Sequence, residues 1–572
     1  MAETTRGRAL LSVGGFSLGA AGSARTPRVE ARHVTGSQVL GSDGGVSIRK
    51  GMESDEAKKD RQGRGNRVRI AIVGLGTAGV CMLDSLEQVL GDHPEMSLTL
   101  YDDAKPWQGR VFQADSPCII ANAPVDAMSV RHGDSAHAER WLVERGHLEP
   151  GKSHDLFLPR GLYGDYMAEH AGELLQSLRR RGWRVELVEQ RASSIEPKGP
   201  LRYAVEAEGR RDEFDFVILC AGGSVRGGPV DLDRYDEYIA DPYPTFERLA
   251  GIPSDAAVGV MGSGLTAVDV AVALKERGHS GRIRMYSRSG ALPLVRRPGP
   301  AWKPKHLTAG QVSELASSKG FLRLADAEQL VGQEVQAWGG QPRELFPPAR
   351  AAGARAWLHR QLENPHDHTD LETFIFQKSV PAVWQEIWFA LSPGDQRRIL
   401  ETPSVMRSIM SRCCPMPRTN AEKILAMLDS GQLETKSGLK SISRGLKTFE
   451  VHLATGAEQA DYIVNAVTPP VYGIHPKAEP LVDSAVQHGL ARRHHAGGLK
   501  VTATSSAILG SRSLGGLYAL GDLTRGAFFF TFGLPVLVRR SADIARAIHD
   551  DIHQNSGRYR DGAGRASGFR SL

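Results

Sequence analysis

Two glycine-rich turns of one design set the architecture open to this chain. Gly74-Leu75-Gly76-Thr77-Ala78-Gly79 follows the apolar run Val68-Arg69-Ile70-Ala71-Ile72-Val73, and Gly262-Ser263-Gly264-Leu265-Thr266-Ala267 follows Ala257-Val258-Gly259-Val260-Met261. Each reads as a buried parallel strand feeding a helix. In such a turn the first glycine permits the bend, the second lets the backbone approach a pyrophosphate, and the third position keeps helix and strand close. The helix N-terminus then presents unpaired N–H groups and a positive dipole end to phosphate. A single G-x-G-x-x-G is a weak sign, because paired glycines are common in ordinary turns. Two in strand-to-helix context predict two dinucleotide sites in an α/β fold with two Rossmann-like domains.

The residues beyond each turn separate the two ligands. The strand Ser97-Leu98-Thr99-Leu100-Tyr101 ends in Asp102-Asp103. An acid there, roughly 20 residues past the glycines, accepts hydrogen bonds from ribose hydroxyls. Gly74, Gly76, Gly79 and Asp102 therefore form the first candidate set. After the second turn, Arg282-Ile283-Arg284-Met285-Tyr286 ends in Ser287-Arg288, with no carboxylate. A hydroxyl and a guanidinium suit a 2′-phosphate, so Gly262, Gly264, Thr266 and Arg288 lean toward NADPH. Arginine also stacks on adenine, which keeps NADH open, and a solvated strand-end charge is the plain alternative for Arg288.

Composition narrows the class. The chain has 572 residues, 41% hydrophobic and 24% charged, enough for two or three domains with their own cores. No run approaches the ~18–20 apolar residues of a membrane helix. Five cysteines without a C-x-x-C fit a reducing, cytoplasmic setting and argue against a dithiol reductase. The adjacent Cys413-Cys414 pair reads as structural, since neighbouring cysteines bridge only with strain. Residues 1–69 carry 13 Lys and Arg against 7 Asp and Glu, which accounts for the whole net charge of +6. The remaining body is near neutral and gives no footprint for nucleic acid. Residues 1–66, rich in Gly, Ser and Arg without periodicity, read as a disordered basic tail, or as sequence upstream of a true start at Met52. The faint secretory-leader pattern over 9–24 is diluted by glycines and serines.

Further segments carry a family resemblance. Gly516-Leu517-Tyr518-Ala519-Leu520-Gly521-Asp522 is a buried strand ending in Gly-Asp, and it resembles the last strand of the FAD domain in two-dinucleotide flavoproteins. The resemblance makes Gly521 and Asp522 contacts to the ribityl and phosphate part of FAD. Phe532-Gly533-Leu534-Pro535 then opens a helix expected to run to about His549, its N-terminus suited to an anionic flavin. The strands ending in Cys220-Ala221-Gly222-Gly223 and in Ala466-Val467-Thr468-Pro469 look like crossings between an FAD and an NAD(P)H domain.

More specifically, residues 109–115, 120–129, 158–166, 260–269 and 287–293 resemble a subgroup of FAD/NAD(P)-binding flavoprotein monooxygenases. This subgroup includes the FAD-dependent urate hydroxylase and the nitrosuccinate-forming aspartate N-monooxygenase. The resemblance spans about 67–550; Cys220-Ala221-Gly222 replaces the common Ala-Thr-Gly, and the N-terminal tail has no counterpart. It implies that NADPH or NADH reduces FAD and that a flavin hydroperoxide passes oxygen from O2 to a small-molecule substrate, in a pocket that excludes water. By family position Asn122, Pro124 and Met128 lie near the flavin. Arg160, in a Pro-Arg-Gly turn, either clamps an anionic substrate or serves a structural or cofactor-phosphate role. The expected reaction is urate hydroxylation to 5-hydroxyisourate in purine degradation. N-hydroxylation of an amino acid such as aspartate is the alternative, and a nucleotide-binding redox sensor without turnover is a third reading.

The expected domain plan follows. After the tail comes a first part of the FAD domain over 67–225, then the NAD(P)H domain over 226–300 and a mainly helical insert over 301–440. The chain returns to the FAD domain over 441–550 and ends in a flexible 551–572. The insert shows helical patterning near 310–336, 349–362, 370–390 and 396–410, with Trp302, Trp338, Trp357, Trp384 and Trp388 as core anchors. His366-Asp367-His368 lacks a third ligand at useful spacing, so no metal is expected there. The insert's position suits a cover over the cleft between domains.

Overall fold

The apolar runs before the two glycine turns become the middle strands of two parallel sheets, where both faces need cover. The structure, a computed structural model, describes residues 67–555 apart from 94, 154–155, 223–227, 230, 298–301, 343–352, 364–370, 468–472, 513–514 and 532. The expectations for the N-terminal tail, His366–His368, Thr468-Pro469 and Phe532 lie outside the described residues.

In chain order the first part comprises β1 (Val68–Val73), α1 (Thr77–Leu90), β2 (Met96–Tyr101), α2 (His137–Glu144), α3 (Arg160–Arg180) and β3 (Arg184–Val188). It continues with β4 (Ala192–Gly199), β5 (Arg202–Ala207), β6 (Arg210–Phe214) and β7 (Phe216–Leu219). Then come β8 (Tyr238–Ile239), α4 (Thr245–Arg248), β9 (Val258–Met261), α5 (Leu265–Glu276) and β10 (Ile283–Tyr286). The helices α6 (Ala309–Lys319), α7 (Leu324–Ala337), α8 (Ala354–Glu363), α9 (Leu371–Ala390), α10 (Pro393–Glu401), α11 (Pro403–Cys413) and α12 (Arg418–Asp429) follow. The chain closes with β11 (Leu433–Lys436), β12 (Leu439–Arg444), β13 (Phe449–Leu453), β14 (Gly456–Ala460), β15 (Tyr462–Asn465), α13 (Glu479–Gln487), β16 (Leu517–Ala519), α14 (Arg525–Phe528) and α15 (Leu534–Gln554).

The first sheet has the order β16-β7-β1-β2-β3 and the second β11-β10-β9-β15-β8, and every pairing in both is parallel. Each glycine turn thus leaves the C-terminal end of the central strand, where ligands of open α/β sheets bind. The fold is the expected α/β arrangement of two Rossmann-like units with a helical region. Strands β4-β5-β6 and β12-β13-β14 add an antiparallel sheet to each unit. The faces of the first sheet are filled by two clusters: Ile70, Ile72, Leu83, Leu86, Ile544 and Ile548 on one side, Ala71, Val73, Val217 and Leu219 on the other.

The element boundaries differ from the expected plan. β11 lies inside the span assigned to the insert and β15 inside the span assigned to the return, yet both complete the second sheet. β10 has a free edge that a parallel partner must cover, and Leu433-Glu434-Thr435-Lys436 is too short and polar to announce that role. The helical insert is therefore α6 to α12, and the chain returns to the first sheet only after Asn465. The last helix runs past His549 to Gln554. No helix among the described residues is long and apolar enough to cross a membrane.

Candidate functional site

The first turn is shaped by close backbone approaches. Gly74 has φ +97°, and a Cβ there would sit 2.7 Å from the Cys220 carbonyl group at the end of β7. A Cβ on Gly79 would lie 2.4 Å from the Gly74 oxygen, so only glycine lets α1 start this near β1. Gly76 is different. Its added Cβ would meet nothing nearer than the Gly109 Cα at 3.5 Å, so two residues without side chains face one another across the turn. Gly521, at φ +76°, comes beside Ala78 in the first turn of α1, and Gly222 faces the Asp522 side chain. Gly222, His475, Asp522 and Arg525 line a cavity here, with Arg525 paired to Asp522 at 2.8 Å.

Asp102 takes a buttressing position at this turn. Its carboxylate accepts from Leu75 N at 2.6 Å and from Ala104 N at 3.0 Å. Burial pushes its pKa up against those N–H donors. Each oxygen keeps a second lone pair, so the acid both sets the turn and can still accept from a ribose. The neighbouring Asp103 is turned to Arg191 and Lys477.

The second turn repeats the construction. Gly262 has φ +114°, and a Cβ there would meet the Ala466 oxygen at 2.6 Å, just past β15. An added Cβ on Gly264 meets nothing within 4 Å. Ser263 Oγ lies 3.0 Å from Ser287 Oγ and 2.7 Å from the Ala291 carbonyl, which fixes the loop that presents Arg288. Arg288 is exposed, and Thr266 Oγ1 lies 3.4 Å from the Tyr243 hydroxyl.

Three polar latches join the two units between the turns. Arg110 holds Asp241 bidentately, with both contacts 2.7 Å. Asp115 accepts from Thr245 N and Phe246 N at 2.6 and 2.9 Å, at the start of α4. Arg160 reaches Asp269 on α5 at 2.7 Å, the Tyr243 hydroxyl at 2.9 Å and the Ile120 carbonyl at 3.1 Å. Arg160 and Asp269 are almost wholly buried. Burial works against the Arg160 charge, but Asp269 and Tyr243 more than offset it and hold the group above its ordinary pKa. For Asp269, burial outweighs the guanidinium and raises its pKa.

Each of the three guanidinium nitrogens of Arg160 thus has a protein partner, the arrangement its structural alternative calls for. Asn122 remains a candidate. Its backbone oxygen accepts from Arg296 at 2.7 Å, while its side-chain Oδ1 is buried without a hydrogen-bond partner among the described residues. An amide oxygen so placed is an acceptor open to water or a ligand. Arg110, Asp115, Asp241, Tyr243 and Asp269 were missed as functional residues. Arg110, Asp115 and Asp269 sat in the segments that carried the resemblance, but their partners lie too far along the chain to be paired from the sequence.

The comparisons with known proteins agree with this fold. Residues 71–224 match a family model described as FAD-NAD(P)-binding. Among curated proteins, none matches. An ornithine N-hydroxylase from Kutzneria sp. 744, in a complex of reduced FAD, NADP+ and L-ornithine, superposes with TM-score 0.52 at 14% identity, over 85% of this chain and 99% of that one. An L-lysine 6-monooxygenase from Pseudomonas syringae gives TM-score 0.53 at 13% identity, over 85% and 100%. The FAD-bound cadaverine monooxygenase of the desferrioxamine pathway from Erwinia amylovora gives 0.52 at 14%, over 89% and 99%. At these identities the likeness is one of fold.

Proposed function

We propose that the chain is an FAD-dependent, NADPH-driven monooxygenase that N-hydroxylates the primary amine of an amino acid or diamine. The observation that carries this reading is the chain-wide fold correspondence with three amine monooxygenases, whose lengths are matched almost completely. Two glycine cradles in one chain supply the matching chemistry. Urate hydroxylation, expected from the resemblance, has no support among these structures; the alternative, amine N-hydroxylation, has.

The residues present fit both dinucleotides. Gly74, Gly76, Gly79, Asp102, Gly521 and Asp522 would hold FAD, and Gly262, Gly264, Thr266 and Arg288 would hold NADPH, the bare Gly76–Gly109 and Gly264 surfaces leaving room for phosphate. Bound there, the flavin supplies the reduction of O2 and the oxygen transfer. The protein's share is positional. The Arg110, Asp115 and Arg160 latches fix one unit against the other, and Asn122 offers an acceptor for an amine or ammonium N–H.

The test is coupled turnover. Ornithine, lysine, cadaverine, aspartate and urate are supplied separately, and NADPH oxidation, O2 uptake and hydroxylamine are measured. At least one amine should give hydroxylamine in proportion to NADPH consumed, with little peroxide. Consumption of urate with no amine hydroxylated would return the reading to the purine class, and a chain that retains no flavin would overturn both.

A further inference from the structure

Away from the glycine turns, three histidines converge on the opposite edge of the first sheet. His93 lies in the short connection between α1 and β2, at the N-terminal side of the strands, whereas the turns leave their C-terminal ends. His549 and His553 stand four residues apart near the end of α15, which places them on one face of the helix. The flanking Ile548 and Ile552 are buried in the cluster that also holds Leu86 and Leu90 of α1, so the rotation of α15 is fixed with both imidazoles toward His93. Ser85 and Ser541, 2.8 Å apart, tie the same two helices together. His93 N donates to the Leu90 oxygen at 2.9 Å and anchors the loop.

One ring nitrogen from each histidine lies within 4.8 Å of the other two. The ring centroids are 4.2 Å apart for His549 and His553, and His93 lies 6.0 Å from His549 and 5.5 Å from His553. Two metal–nitrogen bonds of ~2.0–2.1 Å at a tetrahedral angle span about 3.4 Å, a closure that side-chain rotation can supply. His549 Nδ1 faces Asp550 Oδ1 at 3.2 Å, the arrangement that commits the other nitrogen of a ligating imidazole. Asp92, next to His93, is engaged with Arg181.

We propose that His93, His549 and His553 form a binding site for one divalent transition-metal cation of the zinc class, which staples the α1–β2 connection to the last helix. Three neutral imidazoles suit such an ion better than calcium or magnesium, which take oxygen ligands. With His553 exposed, a fourth ligand would be water. Because α15 starts beside the first glycine turn and rises ~1.5 Å per residue, the ion sits about 25 Å from the cofactor end of the helix, so its role is structural rather than catalytic.

The full chain, stripped with a chelator, is titrated with Co2+ and then Zn2+, and visible absorption, stoichiometry and melting temperature are followed. Expected are one Co2+ per chain with a tetrahedral spectrum, displacement by Zn2+, and a melting temperature that rises with the metal. His93→Ala and His553→Ala should each weaken binding by more than about a hundredfold, and Asp550→Ala by about tenfold, since outer-sphere partners are worth ~10–100-fold. His553 is exposed, so His553→Ala retains the fold, and circular dichroism checks it. Absence of one-to-one binding, or wild-type affinity in the His93→Ala/His553→Ala double variant, would overturn the site.

Discussion

A buried charge pair links the two dinucleotide units. Arg160 and Asp269 are 2.7 Å apart with side chains 6% and 1% exposed, and the Tyr243 hydroxyl donates to Asp269 at 2.8 Å while accepting from Arg160. Removing one partner strands a charge out of water, which costs ~3–5 kcal/mol, while replacing both with apolar groups of similar volume is close to neutral. Asp269→Ala should therefore lower unfolding stability by about that amount in urea. The double variant Arg160→Met/Asp269→Leu should recover most of it. A loss below about 1 kcal/mol for Asp269→Ala would mean that water reaches the guanidinium. The contrast with the exposed Arg288 is one of environment: one arginine is a fixed structural cation, the other is available to a ligand.

At the level of elements, the two glycine turns separate positions that fold the protein from positions that leave room for a ligand. Gly79→Ala forces a Cβ to 2.4 Å from backbone and must push α1 off β1, so it should depress the melting temperature and flavin content together. Gly76→Trp adds its bulk where only Gly109 stands, so the chain should fold and yet purify without FAD. Flavin absorbance and thermal melting on the two variants distinguish the cases; a yellow Gly76→Trp protein would move the pyrophosphate elsewhere. Much of this was legible in the sequence. The turns, the central strands and most helices of the insert follow from periodicity and glycine placement. What could not be read were β11 and β15 as members of the second sheet, because four-residue strands carry little pattern and their partners, β10 and β9, lie about 150 and 200 residues away. The acid that pairs with Arg160 was hidden for the same reason: it is brought up by the second unit.

Across the whole molecule, the insert is held to the rest by its own polar anchors. Trp388 Nε1 donates to the Gly526 carbonyl and Gln385 Nε2 to the Phe530 carbonyl, at 2.9 and 2.8 Å, so α9 is pinned to the segment between the Gly521-Asp522 turn and α15. At the insert's entry the buried Glu334 accepts from the backbone N–H groups of Lys305, His306 and Leu307 and from the indoles of Trp302 and Trp338. Burial pushes its pKa up, but these donors outweigh it and leave the carboxyl below its ordinary value. A depressed acid contributes stability that is fully present above the unfolded value, about 4.3, and is lost as pH falls through the lower folded value. Glu334→Gln should thus cost about 2–3 kcal/mol at pH 7 and less below pH 4, as read from urea unfolding across pH. An equal loss at both pH values would assign the effect to shape rather than charge. The order in which the sheets are closed bears on biosynthesis. β7 is complete at Leu219, but the strand that covers its outer edge, β16, begins at Leu517, after the entire second unit and the insert. At ~5–20 residues per second a ribosome takes roughly 15–60 s to make that stretch. Throughout that interval β7 has no strand on its outer edge, so the first unit cannot complete its sheet until almost the whole chain has been made.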